Sequence, residues 1–149
     1  HGYKVAIVQF IKGTWECGEK NFLTESIFRG ENAKLEYFTM DTGFTWETQN
    51  AEKDKAAAEK VWAECEHVFK DPDVHLVLLD ELTYMLNYKY LDKEKVLDAI
   101  QNRPITQNVI VTGRGAKKYL EDLADTFSEV KAIKHAFNSG IKAQKGIEW

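Results

Sequence analysis

The apolar residues of this chain gather in short continuous runs, and between the runs they recur every three or four positions. The first pattern predicts strands buried in a parallel sheet, and the second predicts helices with one apolar stripe. Tyr3 to Phe10 is the first run and is rich in β-branched residues. Residues 18–29, apolar at 22, 23, 27 and 28, suit a short or irregular helix. After a turn at Gly30-Glu31-Asn32, Lys34 to Met40 reads as a second strand, less apolar and so nearer a sheet edge. Ala51 to Lys70 is the clearest helix. Ala58, Val61, Trp62, Cys65, Val68 and Phe69 form its stripe, with Glu52, Lys53, Asp54, Lys55, Glu59, Lys60, Glu64 and Glu66 largely outside it. Asp71-Pro72-Asp73 stops that helix, because proline disfavours helix before it and cannot continue one.

His75-Leu76-Val77-Leu78-Leu79-Asp80-Glu81 comes next: four apolar residues in a row, then two carboxylates. The run predicts a strand buried on both faces that delivers acids to its C-terminal edge, where ligands of open α/β sheets bind. At roughly 1.5–3 kcal/mol for each fully buried Leu or Val, Leu76 to Leu79 are expected to be among the costliest positions to truncate. An apolar run ending in Asp-Glu also fits a magnesium–nucleotide site. There the first acid holds the metal or its water shell, and the second faces the reacting groups. The plain alternative is an acid that caps the next helix.

Beyond Glu81 lies a short aromatic-rich segment, Leu82 to Tyr90. Asp92 is placed to cap a helix over 93–102 with Val96, Leu97 and Ile100 inward, ended by Arg103-Pro104. Gln107 to Thr112 reads as another buried strand, bringing Thr112-Gly113-Arg114-Gly115 to the same sheet edge. Glycines on both sides of an arginine allow a tight turn that aims a guanidinium, although a surface arginine in a βα turn has the same spacing. A helix over 116–125 with Leu120, Leu123 and Ala124 inward, then a final alternating strand from Thr126 to Ile133, complete the pattern. Strands alternating with helices along the whole length predict one α/β domain, 1–149, with a mainly parallel sheet.

Composition narrows this little. The 149 residues suffice for one domain with a real core, and the net charge of −4 with 30% charged and 44% hydrophobic residues is ordinary. There is no basic stripe of the kind a nucleic-acid binder needs, and no apolar run long enough to span a membrane. Cys17 and Cys65 form no CxxC or metal spacing, which points to a reduced, cytosolic setting. Three polar stretches then stand out. Gln9, Lys12 and Gly13 follow the first strand, where a solvated βα turn is the plain reading. Phe44 and Trp46 sit in a polar loop, Asp41 to Asn50, with no obvious core to enter; they fit either a planar apolar ligand or a satellite cluster. His135 beside Lys134 could touch an anion or serve structure.

Five stretches, in order, resemble the P-loop type of ATP:corrinoid adenosyltransferases. They are Val8 to Trp15, Thr42 to Thr48, Leu79 to Tyr84, Val111 to Gly115, and the tail from Lys134-His135-Ala136-Phe137 through Lys142 to Ile147. The resemblance implies a RecA-like P-loop NTPase-type sheet with helices on both faces. It also implies a preceding strand, a Gly-rich P-loop ending in Gly-Lys-Thr, and a helix. No GxxxxGK[ST] occurs in this sequence. The expectation is therefore an N-terminally truncated or incompletely recorded form, unstable or inactive alone unless another copy supplies the missing piece, with two strands left short of a neighbour.

The resemblance further implies transfer of the 5′-deoxyadenosyl group of ATP to the Co(I) of a corrinoid, giving adenosylcobalamin and triphosphate. On it, Glu81 and Asp80 handle Mg²⁺, while Arg114 and Lys12 offset phosphate charge. Phe44 and Trp46 pack against the corrin and displace its lower axial base, and Met40 and Tyr84 line that pocket. A reduced flavoprotein as electron donor, a homodimer and a cytoplasmic location are implied as well. The alternative function is a non-catalytic nucleotide- or corrinoid-binding module. A RecA-like ATPase acting on nucleic acid is disfavoured by the charge.

Overall fold

The computed structural model of the protein describes residues 1–11, 18–25, 34–40 and 50–147. The first apolar run forms β1 (Lys4–Gln9), followed by α1 (Gly18–Glu25), β2 (Leu35–Thr39), α2 (Ala51–Val68) and β3 (Val74–Asp80). Then come α3 (Leu82–Asn87), α4 (Lys93–Gln101), β4 (Asn108–Val111) and α5 (Lys118–Leu123), and a single 3-10 turn at Ala136–Ser139. The strands form one sheet in the order β2-β1-β3-β4, and every pairing is parallel. Parallel neighbours require crossovers, and the helices supply them. The α/β class with a parallel sheet is as the pattern predicts. Residues 26–29 of the first expected helix lie outside the described residues.

The core gathers mainly on one side of the sheet. Ala6 and Val8 of β1 and Val77 and Leu79 of β3 are fully buried, in one cluster with Ala58, Val61, Trp62, Cys65, Val68 and Phe69. The α2 stripe is therefore the one read from the spacing, and the alternate side chains of β1 and β3 meet it. Asp54 departs from that reading. The spacing sets it outside the stripe, yet it is buried, one turn N-terminal to Ala58 on the same face. Cys65 Sγ donates to Val61 O (3.5 Å), and burial pushes its thiol pKa up, which marks an inert core thiol.

Several expectations are corrected by neighbours the sequence does not display. In β3, Leu76 and Leu78 are only half-buried, because the described residues cover their face less completely than the α2 face. Strand β4 is not buried. Asn108 and Ile110 are exposed and Val109 and Val111 half-buried, since β3 is its single partner in the described sheet. The strand expected over Thr126 to Ile133 does not form. Those residues join no ladder, and Val130 and Ile133 are 96% and 92% exposed. An alternating pattern makes a strand only where a neighbour takes up its backbone groups. Ala124 is exposed and caps the C-terminal end of α5, leaving Leu120 as that helix's buried residue.

The N-terminal edge of the sheet is closed by polar pairing. Gln107 is buried, and its Nε2 donates to Val68 O (3.1 Å), Asp71 O (3.4 Å) and Val74 O (3.3 Å), supplying a donor to carbonyls where α2 ends and β3 begins. Lys4 Nζ lies 2.8 Å from Asp71 Oδ2 and 2.7 Å from Glu36 Oε1. The hydrogen bond to Asp71 is the main cause that raises the Lys4 pKa, and the same bond is the main one that lowers that of Asp71.

Candidate active site

The C-terminal ends of β1, β3 and β4 converge because the three strands are adjacent, parallel and in close register, with Gln9 opposite Asp80 and Leu79 opposite Val111. Asp80 is the hub. Its Oδ1 accepts from Thr112 Oγ1 (2.8 Å) and its Oδ2 from Gln9 Nε2 (3.4 Å), so residues from both flanking strands hold one carboxylate. Thr112 Oγ1 also accepts from the backbone N–H of Glu81 (3.0 Å). The chain Gln9–Asp80–Thr112–Glu81 thus fixes the acid pair against the next strand. A threonine hydroxyl suits this task because it donates and accepts at once.

Glu81 itself adopts the left-handed conformation, with φ of 61°, directly before α3. A non-glycine residue there costs about 1–2 kcal/mol. Such an outlier at the C-terminal edge of a central strand points to a functional demand on that side chain. It provides no side-chain cap to α3, so helix capping does not account for the acid.

The turn after β4 is clamped to the same frame. Thr83 is buried, and its Oγ1 donates to Arg114 O (3.0 Å). Asn87 Nδ2 reaches Arg114 O (3.4 Å) and Gly115 O (3.2 Å). Gly113 has φ of 139°, and a Cβ there would stand 1.9 Å from Thr83 Oγ1, so glycine is required at this close approach. Arg114 is exposed, and its guanidinium makes no hydrogen bond or ion pair among the described residues. Its backbone is fixed while its charge stays available.

Of the remaining predicted site residues, Lys12, Phe44 and Trp46 lie outside the described residues. Met40 is fully buried in the core, and its N–H donates to Gln9 O (3.0 Å). Tyr84 is half-buried on α3, its ring 5.9 Å from Tyr88, which lies 5.6 Å from Tyr90. His135 is exposed, and its Nδ1 accepts from Phe137 N (3.2 Å), a cap of the 3-10 turn. The sequence pattern alone does not reveal the bracing roles of Thr112, Thr83 and Asn87. Their signal, small polar residues beside two strand ends and a Gly-Arg-Gly turn, is too common to act on without the strand order.

Residues 1–149 match the family described as ATP:corrinoid adenosyltransferase BtuR/CobO/CobP. A corrinoid adenosyltransferase of Escherichia coli is 50% identical over 149 residues, all of this chain and 72% of that protein. Corrinoid adenosyltransferase CobA of Salmonella typhimurium shows the same identity and coverage, and a corrinoid adenosyltransferase of Pseudomonas aeruginosa is 48% identical over 71% of its length. The match runs through every strand end just described. This chain belongs to the ATP:corrinoid adenosyltransferase family.

Proposed function

We propose that this chain serves in transfer of the 5′-deoxyadenosyl group of ATP to the Co(I) of a corrinoid, with release of triphosphate. Beside the family match, one observation carries the reading: the strained, braced Asp80–Glu81 pair beside the clamped Arg114 turn. In the reaction the cobalt's electron pair makes the Co–C bond to the 5′ carbon. The C5′–O bond breaks, and its electrons leave with the triphosphate. No proton transfer is needed in that step, so the protein contributes positioning and electrostatics.

Asp80 and Glu81 fit a magnesium ion, which takes one or two carboxylates and keeps waters and substrate phosphate oxygens for its other positions. Each Asp80 oxygen accepts one hydrogen bond and retains a further lone pair, so the bracing orients the carboxylate without blocking it. When bound, that ion would offset charge on the departing triphosphate. Arg114 and Lys12 add to this. Phe44 and Trp46 are assigned to the corrin face and Tyr84 to the lining of that pocket, whereas Met40 is fully buried in the core. A reduced flavoprotein donor, a homodimer and a cytoplasmic setting belong to the same proposal.

The test uses the gene's complete product. Glu81→Gln should lower adenosylation of Co(I) corrinoid about 10²-fold with an unchanged melting temperature. Parallel loss of activity and fold would reduce Glu81 to a structural residue. Trp46→Ala should abolish the four-coordinate signal of bound Co(II) corrinoid; an unchanged spectrum would remove Trp46 from that role. The alternative reading is a nucleotide- or corrinoid-binding module without catalysis. Tight corrinoid binding by the complete product, without turnover of ATP, would decide for it.

A further inference from the structure

A second concave feature borders the Arg114 turn through Asn87. A cleft of about 700 Å³ opens between the start of α2, the end of α3, the start of α4 and the residues leading into α5. Five lysines line it, Lys55, Lys89, Lys93, Lys95 and Lys117, against two acids, Glu59 and Asp92. In a chain of net charge −4 this is a local inversion of sign, and a cleft with an excess of one sign concentrates counter-ions. The acids are partly occupied. Asp92 Oδ1 accepts from Glu94 N (2.8 Å) and Lys95 N (3.2 Å) as the cap of α4, and Glu59 Oε1 lies 3.9 Å from Lys55 Nζ. Lys93 is drawn to Glu94 (2.9 Å) and over the Tyr119 ring (5.2 Å to its centre). Lys89, Lys95 and Lys117 make no ion pair among the described residues.

Lys89 supplies the independent observation. The end of α3 is a Schellman turn, with Tyr90 N donating to Met85 O (2.9 Å) and Lys89 N to Leu86 O (3.2 Å). Lys89 occupies the left-handed position of that turn, with φ of 60°, where glycine is the favoured residue. Lys89 and Glu81 are the two non-glycine residues with positive φ among those described. One belongs to the candidate active site, and the other puts a lysine on the wall of the cleft. Strain retained for a charged side chain points to a use for the charge.

We propose that this cleft binds a small polyanion bearing two or more phosphate groups, held by Lys89, Lys95 and Lys117 with Lys55 and Lys93 around them. The inference does not depend on the adenosyl-transfer reading. Asn87 also lines the cleft while it holds the Arg114 turn, so the two sites share one residue and stay distinct in their lysines.

Inorganic triphosphate is the probe, titrated calorimetrically into the gene's complete product at low ionic strength, against Lys89→Gly, Lys95→Gln with Lys117→Gln, and Arg114→Ala. Lys89→Gly should weaken binding at the cleft about tenfold while the melting temperature stays or rises, since glycine relieves the left-handed backbone. The Lys95→Gln, Lys117→Gln pair should weaken it at least as much, while Arg114→Ala should reduce only the active-site event that triphosphate makes as the proposed reaction's product and leave the lysine-dependent event at the cleft. Three results would overturn the proposal: binding lost in Arg114→Ala but not in the lysine variants, no binding at millimolar triphosphate, or binding of polyglutamate alone, which would make the cleft a protein-docking patch. Because the arginine and lysine variants are read separately, failure of the active-site reading would not be mistaken for failure of this one.

Discussion

The two edges of the sheet use polar residues in opposite ways. At the N-terminal edge, Lys4 pairs with Glu36 and Asp71, and the Gln107 amide is shared among three carbonyls. These bonds join parts of the fold to one another. At the C-terminal edge, Gln9 and Thr112 hold Asp80, Thr83 and Asn87 hold the Arg114 turn, and the backbone at Glu81 is strained. There the hydrogen bonds orient groups that keep capacity for something outside the protein. Satisfied polar pairs stabilise; oriented and strained ones mark chemistry.

The sharpest way to break the contrast is at Gly113. Gly113→Ala should cost roughly 2–4 kcal/mol in chemical denaturation, through the collision with Thr83 and the unfavourable φ, and should abolish adenosyl transfer by shifting the Arg114 turn. Retention of both would mean the clamp is incidental. At the opposite edge, Gln107→Leu should cost about 1–3 kcal/mol by removing the donor to the carbonyls of Val68, Asp71 and Val74, with turnover per folded molecule unchanged. A fall in turnover there would blur the division between edges.

The smallest effect is expected at Lys4. Lys4→Met should cost less than about 1 kcal/mol near neutral pH, because the pair is partly solvated. Its pH dependence has a definite sign. The native carboxyl of Asp71 titrates below its ordinary range, so its share of stability is present above the unfolded value of about 4 and is lost as pH falls through the lowered native one. Lys4 titrates above its ordinary range, so its share holds up to the unfolded lysine value and is lost as pH rises through the raised one. The difference between Lys4→Met and the parent should therefore be flat between about pH 5 and 9 and shrink below about 4. A difference that persists in acid would assign it to packing of the lysine stem.

What was legible in the sequence was local. The α2 stripe, the Asp92 cap and the apolar runs of β1 and β3 each carry their period within a few residues, and each formed. The acid pair at the end of β3 was legible for the same reason. What was not legible depends on neighbours far along the chain. Thr126 to Ile133 alternates like a strand but pairs with nothing, and Leu78 reads like a buried residue but sits on the less covered face. The link through Thr112, 32 residues from Asp80, exists only once β4 lies beside β3. Lys89 hid a helix end because the usual signal for that turn is a glycine.

The central claim is that strain at the C-terminal edge is retained for function. Glu81→Gly tests it in one variant of the gene's complete product, followed by both unfolding free energy and adenosyl transfer to Co(I) corrinoid. Glycine accepts φ of 61° without penalty, so stability should hold or rise by up to about 1 kcal/mol while transfer falls about 10²-fold. Transfer at the parental rate, or a large loss of stability, would contradict the account.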